Sequence, residues 1–253
     1  MTQWKWAAAS VRGTAHVRSQ TRKQDSYACF SAGEAGSAFI AIVCDGAGSA
    51  IKGGEGASLT CRALTRGARA HFACSSILPS DDDVWSWVDD ARDGIARAAL
   101  GQAQPLSPRD FASTLVLVIS DGLQTLVGHI GDGCAVALDS EDNWLLLSEP
   151  AQGEYASTTY FVTDDPAPKL RLNRLSKPLI AIAAMTDGLE RLALNLAAMT
   201  PHRPFFDAVI RPVRETKTHG KEGSLSTKLA NYLDSAAVNQ RTDDDKTLVL
   251  AAR

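Results

Sequence analysis

Two apolar runs rich in β-branched residues, STLVLVIS over 113–120 and LQTLVGHI over 123–130, are separated only by Asp121-Gly122. A crossover between parallel strands takes about a dozen residues or more, so these runs must pair as an antiparallel hairpin. Asp-Gly suits a type I′ turn, in which both central residues take positive φ. Strict alternation of strand and helix is thereby excluded. Further short apolar runs, SAFIAIVC (37–44), LIAIAAMT (179–186) and TLVLAA (247–252), read as buried strands and spread strand-forming sequence along the chain.

Helical periodicity falls between these runs. In EGASLTCRALTRGARAHF, Ala57, Cys61, Leu64 and Ala68 recur at three and four residues. A second helix follows Ser80, an N-cap with Asp83 three residues on, and carries Val84, Val88, Ala91 and Ile95 on one face. A third follows Ser224, with Leu225, Leu229, Tyr232 and Leu233 together. The proline- and charge-rich stretch 200–223 before it reads as an exposed connector with one short helix. Antiparallel strand pairs with long helices inserted between them predict an α+β layered architecture.

At 253 residues the chain has room for one large domain or two small ones, and its core needs no disulfide or structural metal. Lys and Arg total 26 against 29 Asp and Glu, a net charge of −3, so nucleic acid and anionic membrane are poor partners. No run of 18 apolar residues predicts a membrane-spanning helix. The five cysteines, Cys29, Cys44, Cys61, Cys74 and Cys134, form no Cys-x-x-Cys pair and read as mostly buried, reduced thiols. With MTQWKWAAAS lacking the apolar core of a secretory signal, the expected compartment is the cytoplasm.

Asp-Gly occurs at 45, 93, 121, 132 and 187. Asp93-Gly94 lies in a helical pattern and Asp121-Gly122 at the hairpin tip, so both read as structural. Asp45, Asp132 and Asp187 instead each follow an apolar run, where a strand emerges from the core. Asp243-Asp244-Asp245 precedes the last run and would begin a strand of opposite direction. Carboxylates gathered at one end of a sheet repel one another and stay ionised most easily around hard divalent cations, Mg²⁺, Mn²⁺ or Ca²⁺. A pair of such ions can activate water against a phosphoryl group without a side-chain nucleophile. The competing reading is a set of ordinary loop starts. Ser113 and Thr114 lack a Gly-x-Ser-x-Gly elbow, and GAGSAIKGGEG lacks the GK[ST] of a phosphate-binding loop.

Five segments in order resemble the motifs of the metal-dependent serine/threonine protein phosphatases of the 2C type, with a bacterial character. They are GTAHVRSQTRKQDS, IAIVCDGAGSAIKGGEGAS, FASTLVLVISDGLQTLVGHIGDG, IAAMTDGLERL and RTDDDKTLVLA. The resemblance implies a single domain over 1–253 with an α+β, four-layer αββα sandwich of two antiparallel sheets flanked by helices. It implies two core ions, Mg²⁺ or Mn²⁺: Asp45 bridging both, the Gly46 carbonyl joining one, Asp187 and Asp244 completing the other, and Asp25 acting through water. Asp132, with Asp187, would hold a third ion. The run QGEYASTTYFVTDD (152–165) lies in the Cys134–Thr186 interval, where the family's bacterial branches place a flap and substrate-facing elements, and reads as substrate rim.

The sequence departs from the family at Gln24, where many members carry Glu, at Ala47, where animal members carry a histidine acid, and at Ser49. His16 is a candidate general acid or phosphate contact, and Arg18 and Arg22 are candidate phosphate-binding cations beside Lys23. Asp243 or Asp245 could exchange roles with Asp244. His129, inside a strand pattern, reads as structural. The activity implied is hydrolysis of phosphoserine and phosphothreonine by a metal-activated water. The expected partners are a phosphorylated protein, a kinase or kinase target, and the expected state is a monomer. Two alternatives stay open: a catalytically weak fold that binds phosphoproteins or kinases as a signalling module, and a metal-dependent nucleotide phosphodiesterase.

Overall fold

A computed structural model describes residues 3–151 and 159–253. The five-stranded sheet runs in the order β2 (Ser26–Ala32), β3 (Ala38–Cys44), β4 (Leu115–Ser120), β5 (Gln124–Ile130) and β8 (Arg171–Ser176), all antiparallel. The six-stranded sheet runs β12 (Gly220–Lys221), β1 (Lys5–Val11), β13 (Lys246–Ala252), β9 (Leu179–Met185), β6 (Cys134–Asp139) and β7 (Trp144–Ser148). Its pairs are antiparallel except for the short parallel contact of β1 with β12. After the single helical turn α4 (Glu190–Ala193), a small ribbon joins β10 (Leu194–Asn195) to β11 (Thr200–Pro201).

Period-two alternation along strands covered on both faces builds the layers. From β3, Phe39, Ala41 and Val43 point between the sheets and pack with Val116, Ile182, Ala184 and Val249. Its alternate residues Ile40 and Ile42 face outward, against Leu64 of α2 (Gly53–Cys74) and Val88 of α3 (Asp81–Leu100). On the far side, Met185, Leu248 and Leu250 meet Phe206 and Ile210 of α5 (Arg203–Glu215) and Leu233 of α6 (Gly223–Leu233). The result is the expected α+β αββα sandwich.

The β4–β5 hairpin forms in the expected pairing, Ser120 opposite Thr125, but its turn is not type I′. Only Gly122 takes positive φ, +89°, and the link is three residues, 121–123. The Asp121 carboxylate accepts from the Leu123 and Gln124 N–H groups at 2.8 and 2.7 Å, and this side-chain cap replaces a second left-handed residue. Ser80 and Asp83 form a reciprocal capping box at the start of α3, as the spacing predicts, and Asp93-Gly94 lies within that helix.

A further sequence expectation changes. The stretch 200–223 is not mainly an exposed connector: it forms the 13-residue α5, whose Phe205, Phe206, Ile210 and Val213 are buried. Helical spacing of those apolar positions is masked in sequence by Pro204 and Pro212 and by interleaved arginines. The tryptophan-bearing start, to which the sequence patterns assign no element, contributes KWAAASV as β1, paired along its length with β13, and Trp4 and Trp6 pack on Phe39. Alanines supply little strand signal, so pairing with β13 decides the element. Phe206→Ala is expected to cost about 3–5 kcal/mol in denaturant unfolding, whereas a residue on an exposed connector would change stability by roughly 0.5 kcal/mol at most.

Candidate active site

Antiparallel strands deliver their ends to one rim of the sandwich. Asp45 follows β3, Asp132 follows β5, Asp187 follows β9, Asp25 precedes β2 and Asp243–Asp245 precede β13. The loop from β1 adds the short helix α1 (Thr14–Arg18), held by the Ala15 N–H donating to the Asp243 carbonyl at 2.8 Å. Two glycines allow the close approach: a Cβ on Gly13 would lie 2.3 Å from the Asp244 carbonyl carbon, and one on Gly188 1.9 Å from the Asp245 oxygen. Between these loops lies a cleft of about 490 Å³ bordered by His16, Asp45, Arg109, Asp132, Asp187 and Asp244.

Asp25 is buried below the cleft. Its Oδ2 accepts from Thr186 Oγ1 at 2.9 Å and Thr247 Oγ1 at 2.6 Å, while its Oδ1 is buried without a partner. Asp187 Oδ1 is likewise buried and unpartnered. Asp45 stands in hydrogen-bonding contact with both Asp25 and Asp187, and the Thr114 hydroxyl accepts from its backbone N–H at 3.0 Å. Burial, then the charges of Asp25 and Asp187, push the Asp45 carboxyl well above the usual range. Burial raises Asp25 to about 6, and burial with the charge of Asp132 raises Asp187 to about 7. Asp244 is raised too, chiefly by burial.

Such a donor set is made of hard oxygens, and two of its buried acceptors lack any hydrogen atom to satisfy them. It therefore fits divalent cations that take oxygen ligands. Among the described residues no three acidic, histidine or cysteine groups are already gathered around one point as a finished coordination shell. The crowded carboxyls of Asp25, Asp45 and Asp187 are instead held above the usual range, so any cation taken up there would compete with protons for their oxygens.

The three consecutive aspartates divide their work. Asp245 Oδ1 accepts from the Gly13 N–H at 2.6 Å and pairs with His16 Nδ1 at 2.9 Å, and its Oδ2 accepts from the Gln24 N–H at 2.5 Å. Burial works against its charge, but the bonds from Gly13, His16 and Gln24 prevail and hold its carboxyl below the usual range. Asp243 is exposed, borders the cleft beside Asp244 and pairs with Arg18 at 2.7 Å. The Asp244 carboxylate accepts from its neighbour's N–H at 2.7 Å and borders the cleft.

Arg18 thus stands at the border of the cleft on Asp243, and Arg22 is exposed outside its lining. The cation in the lining is Arg109, which lies two residues before the FASTL segment and which the sequence reading passed over. Thr159 is a second addition: its hydroxyl donates to Asp132 Oδ2 at 2.5 Å. Of the expected substrate rim, residues 152–158 lie outside the described residues, while Thr159, Phe161 and Asp164 border the cleft. His129 is enclosed in β5, where Ser148 and Arg171 bond its Nδ1, and burial followed by the Arg171 charge lowers it to about 3.

A helix-flanked pair of sheets that collects acidic side chains over one cleft, with a cation in the lining, is the architecture of a phosphate-ester hydrolase. The chain belongs to the protein phosphatase 2C family, whose sequence model matches residues 12–234. It is 35% identical over 252 residues to serine/threonine-protein phosphatase 3 of Escherichia coli K12, with 98% of each chain covered. Its fold is similar to that of the Mycobacterium tuberculosis serine/threonine phosphatase PstP/Ppp, with a TM-score of 0.67, 15% identity and 99% of each chain covered. It is also similar to the catalytic domain of PstP solved with two manganese ions, with a TM-score of 0.67, 16% identity, and 99% and 98% covered.

A carboxyl whose folded pKa is raised favours folding fully below its unfolded value and loses that contribution as pH rises through the folded value. For Asp187 the window runs from about 4 to about 7. Without divalent ions, the melting temperature is expected to fall across that window, and Asp187→Asn to flatten the fall, as calorimetry over a pH series would show.

Proposed function

We propose that the chain hydrolyses phosphoserine and phosphothreonine in proteins by direct attack of water, with divalent cations held at the aspartate rim. The observation that carries this reading is the half-buried Asp45 set between Asp25 and Asp187, with an unpartnered buried oxygen on each of those neighbours. Asp45, the Gly46 carbonyl, Asp187 and Asp244 would hold a core pair of ions, Mg²⁺ or Mn²⁺, with Asp25 acting through water and Asp132 with Asp187 holding a third. When bound, such ions acidify water and offset the charge of the phosphoryl group.

The protein's own groups do the remaining work. Arg109 supplies positive charge in the lining to draw in and orient the phosphoryl oxygens, with Arg18 at the border. Asp245 fixes the His16 ring through Nδ1, which leaves Nε2 as the nitrogen able to give a proton to the departing serine or threonine oxygen. Gln24 and Ala47 both border the cleft, so departures from the family pattern tune the site's charge without removing its aspartates.

The chain is read as a single catalytic domain, a monomer that acts on a kinase or kinase target in a signalling role. Its five free cysteines support the reducing cytoplasm. Among the described residues no helix is long and apolar enough to cross a membrane.

Asp45→Ala is expected to abolish uptake of the core ions and to lower kcat/KM on a phosphothreonine peptide by about a thousandfold or more. Asp121→Ala, at the hairpin turn, should leave turnover within a few fold; equal losses would reject the assignment. Asp132→Ala should lower kcat and kcat/KM together while calorimetric Mn²⁺ titration still finds the core pair. An unchanged kcat would make Asp132 a turn residue, and loss of the core ions would move it into the primary site.

A further inference from the structure

On the face opposite the inter-sheet core, α5, α6 and α7 (Ala236–Asn239) do not close completely over the six-stranded sheet. They leave a cavity of about 720 Å³, within the range of about 300–1,000 Å³ that small-molecule sites occupy. Its walls are apolar, with Val209 and Leu225 from the facing helices and Leu250 of β13 beneath. Three cations border it: Arg191, Lys228 and Arg241. Among the described residues the lining contains no aspartate or glutamate. Among the described residues none of the three forms an ion pair within 4.0 Å. Arg191 and Arg241 also border a separate polar recess that holds Asp187, Glu190, Asp243 and Asp244, and the charge of Arg191 acts there on Glu190.

We propose that this cavity is a binding site for a small amphipathic anion, an alkyl chain ending in a carboxylate or comparable acidic head. The apolar walls take the chain, which gains by leaving water roughly in proportion to its length. Guanidinium and ammonium groups at the mouth take the head, which a neutral or cationic amphiphile would not satisfy. The site is distinct from the aspartate cleft, and binding there does not depend on the phosphatase reading.

Calorimetric titration with laurate, below the concentration at which it forms micelles, tests this on the intact chain. One laurate per chain is expected, with affinity falling about fourfold for each methylene removed from the chain. Dodecanol should bind roughly tenfold more weakly or worse. Val209→Trp should fill the cavity and abolish binding. Lys228→Glu, an exposed change on α6 that the fold tolerates, should weaken laurate roughly tenfold and leave phosphatase activity unchanged. Absence of saturable binding, or equal affinity for laurate and dodecanol in the wild type and Lys228→Glu, would overturn the proposal. So would a dimer in light scattering that Lys228→Glu dissociates and laurate does not, because the face would then belong to a second copy of the chain.

Discussion

Burying carboxylates side by side is the constraint on which this structure turns. Asp25, Asp45 and Asp187 stand close enough for Asp45 to bond both neighbours, in surroundings that make every one of them a reluctant anion. A protein gains nothing in stability from such a cluster unless protons or cations neutralise it. Any cation taken up there would compete with protons for the same oxygens, and the surrounding scaffold holds the cluster together in spite of its repulsion.

That scaffold works through both sheets. Asp25 comes from the five-stranded sheet, yet its partners Thr186 and Thr247 lie at the ends of strands in the six-stranded one. The same Thr186 hydroxyl accepts from the Thr247 N–H at 3.1 Å, so one small network fastens the two sheets where their strand ends meet. Gly13 and Gly188 let three loops touch at backbone level, which no side-chain-bearing residue would permit there. A rigid rim of this kind positions reacting groups with less loss of order than mobile loops could.

Asp245 shows how the site separates architecture from chemistry. Bonded to Gly13, His16 and Gln24, it has spent both oxygens on pinning the first loop beside the last strand. Asp244, one residue earlier, keeps its carboxylate at the cleft. Adjacent residues at a strand entrance point to different sides, so a run of three identical acids contains three different roles.

Much of this was legible in the chain. The Asp121-Gly122 junction dictated an antiparallel pair, the acids at 45, 132 and 187 announced themselves by following apolar runs, and Ser80 with Asp83 marked the start of α3. Local chemistry settles such features, because turn, cap and strand signals act over a few residues. What sequence left open was decided by contacts distant along the chain. That Asp245 turns away from the cleft while Asp243 and Asp244 border it depends on a loop more than 200 residues earlier. Alanine-rich β1 is a strand because β13 pairs with it, and α5 is buried because the six-stranded sheet offers it an apolar face. Arg109 carried no sequence signal, since a lone arginine becomes part of a site only when folding brings it to the cleft. Local pattern was enough to place acids at strand ends and to point to the class of chemistry; which carboxyls crowd one another and which hold the loops followed only from long-range packing, because burial and proximity, the two quantities that set a carboxyl's charge, are not local properties.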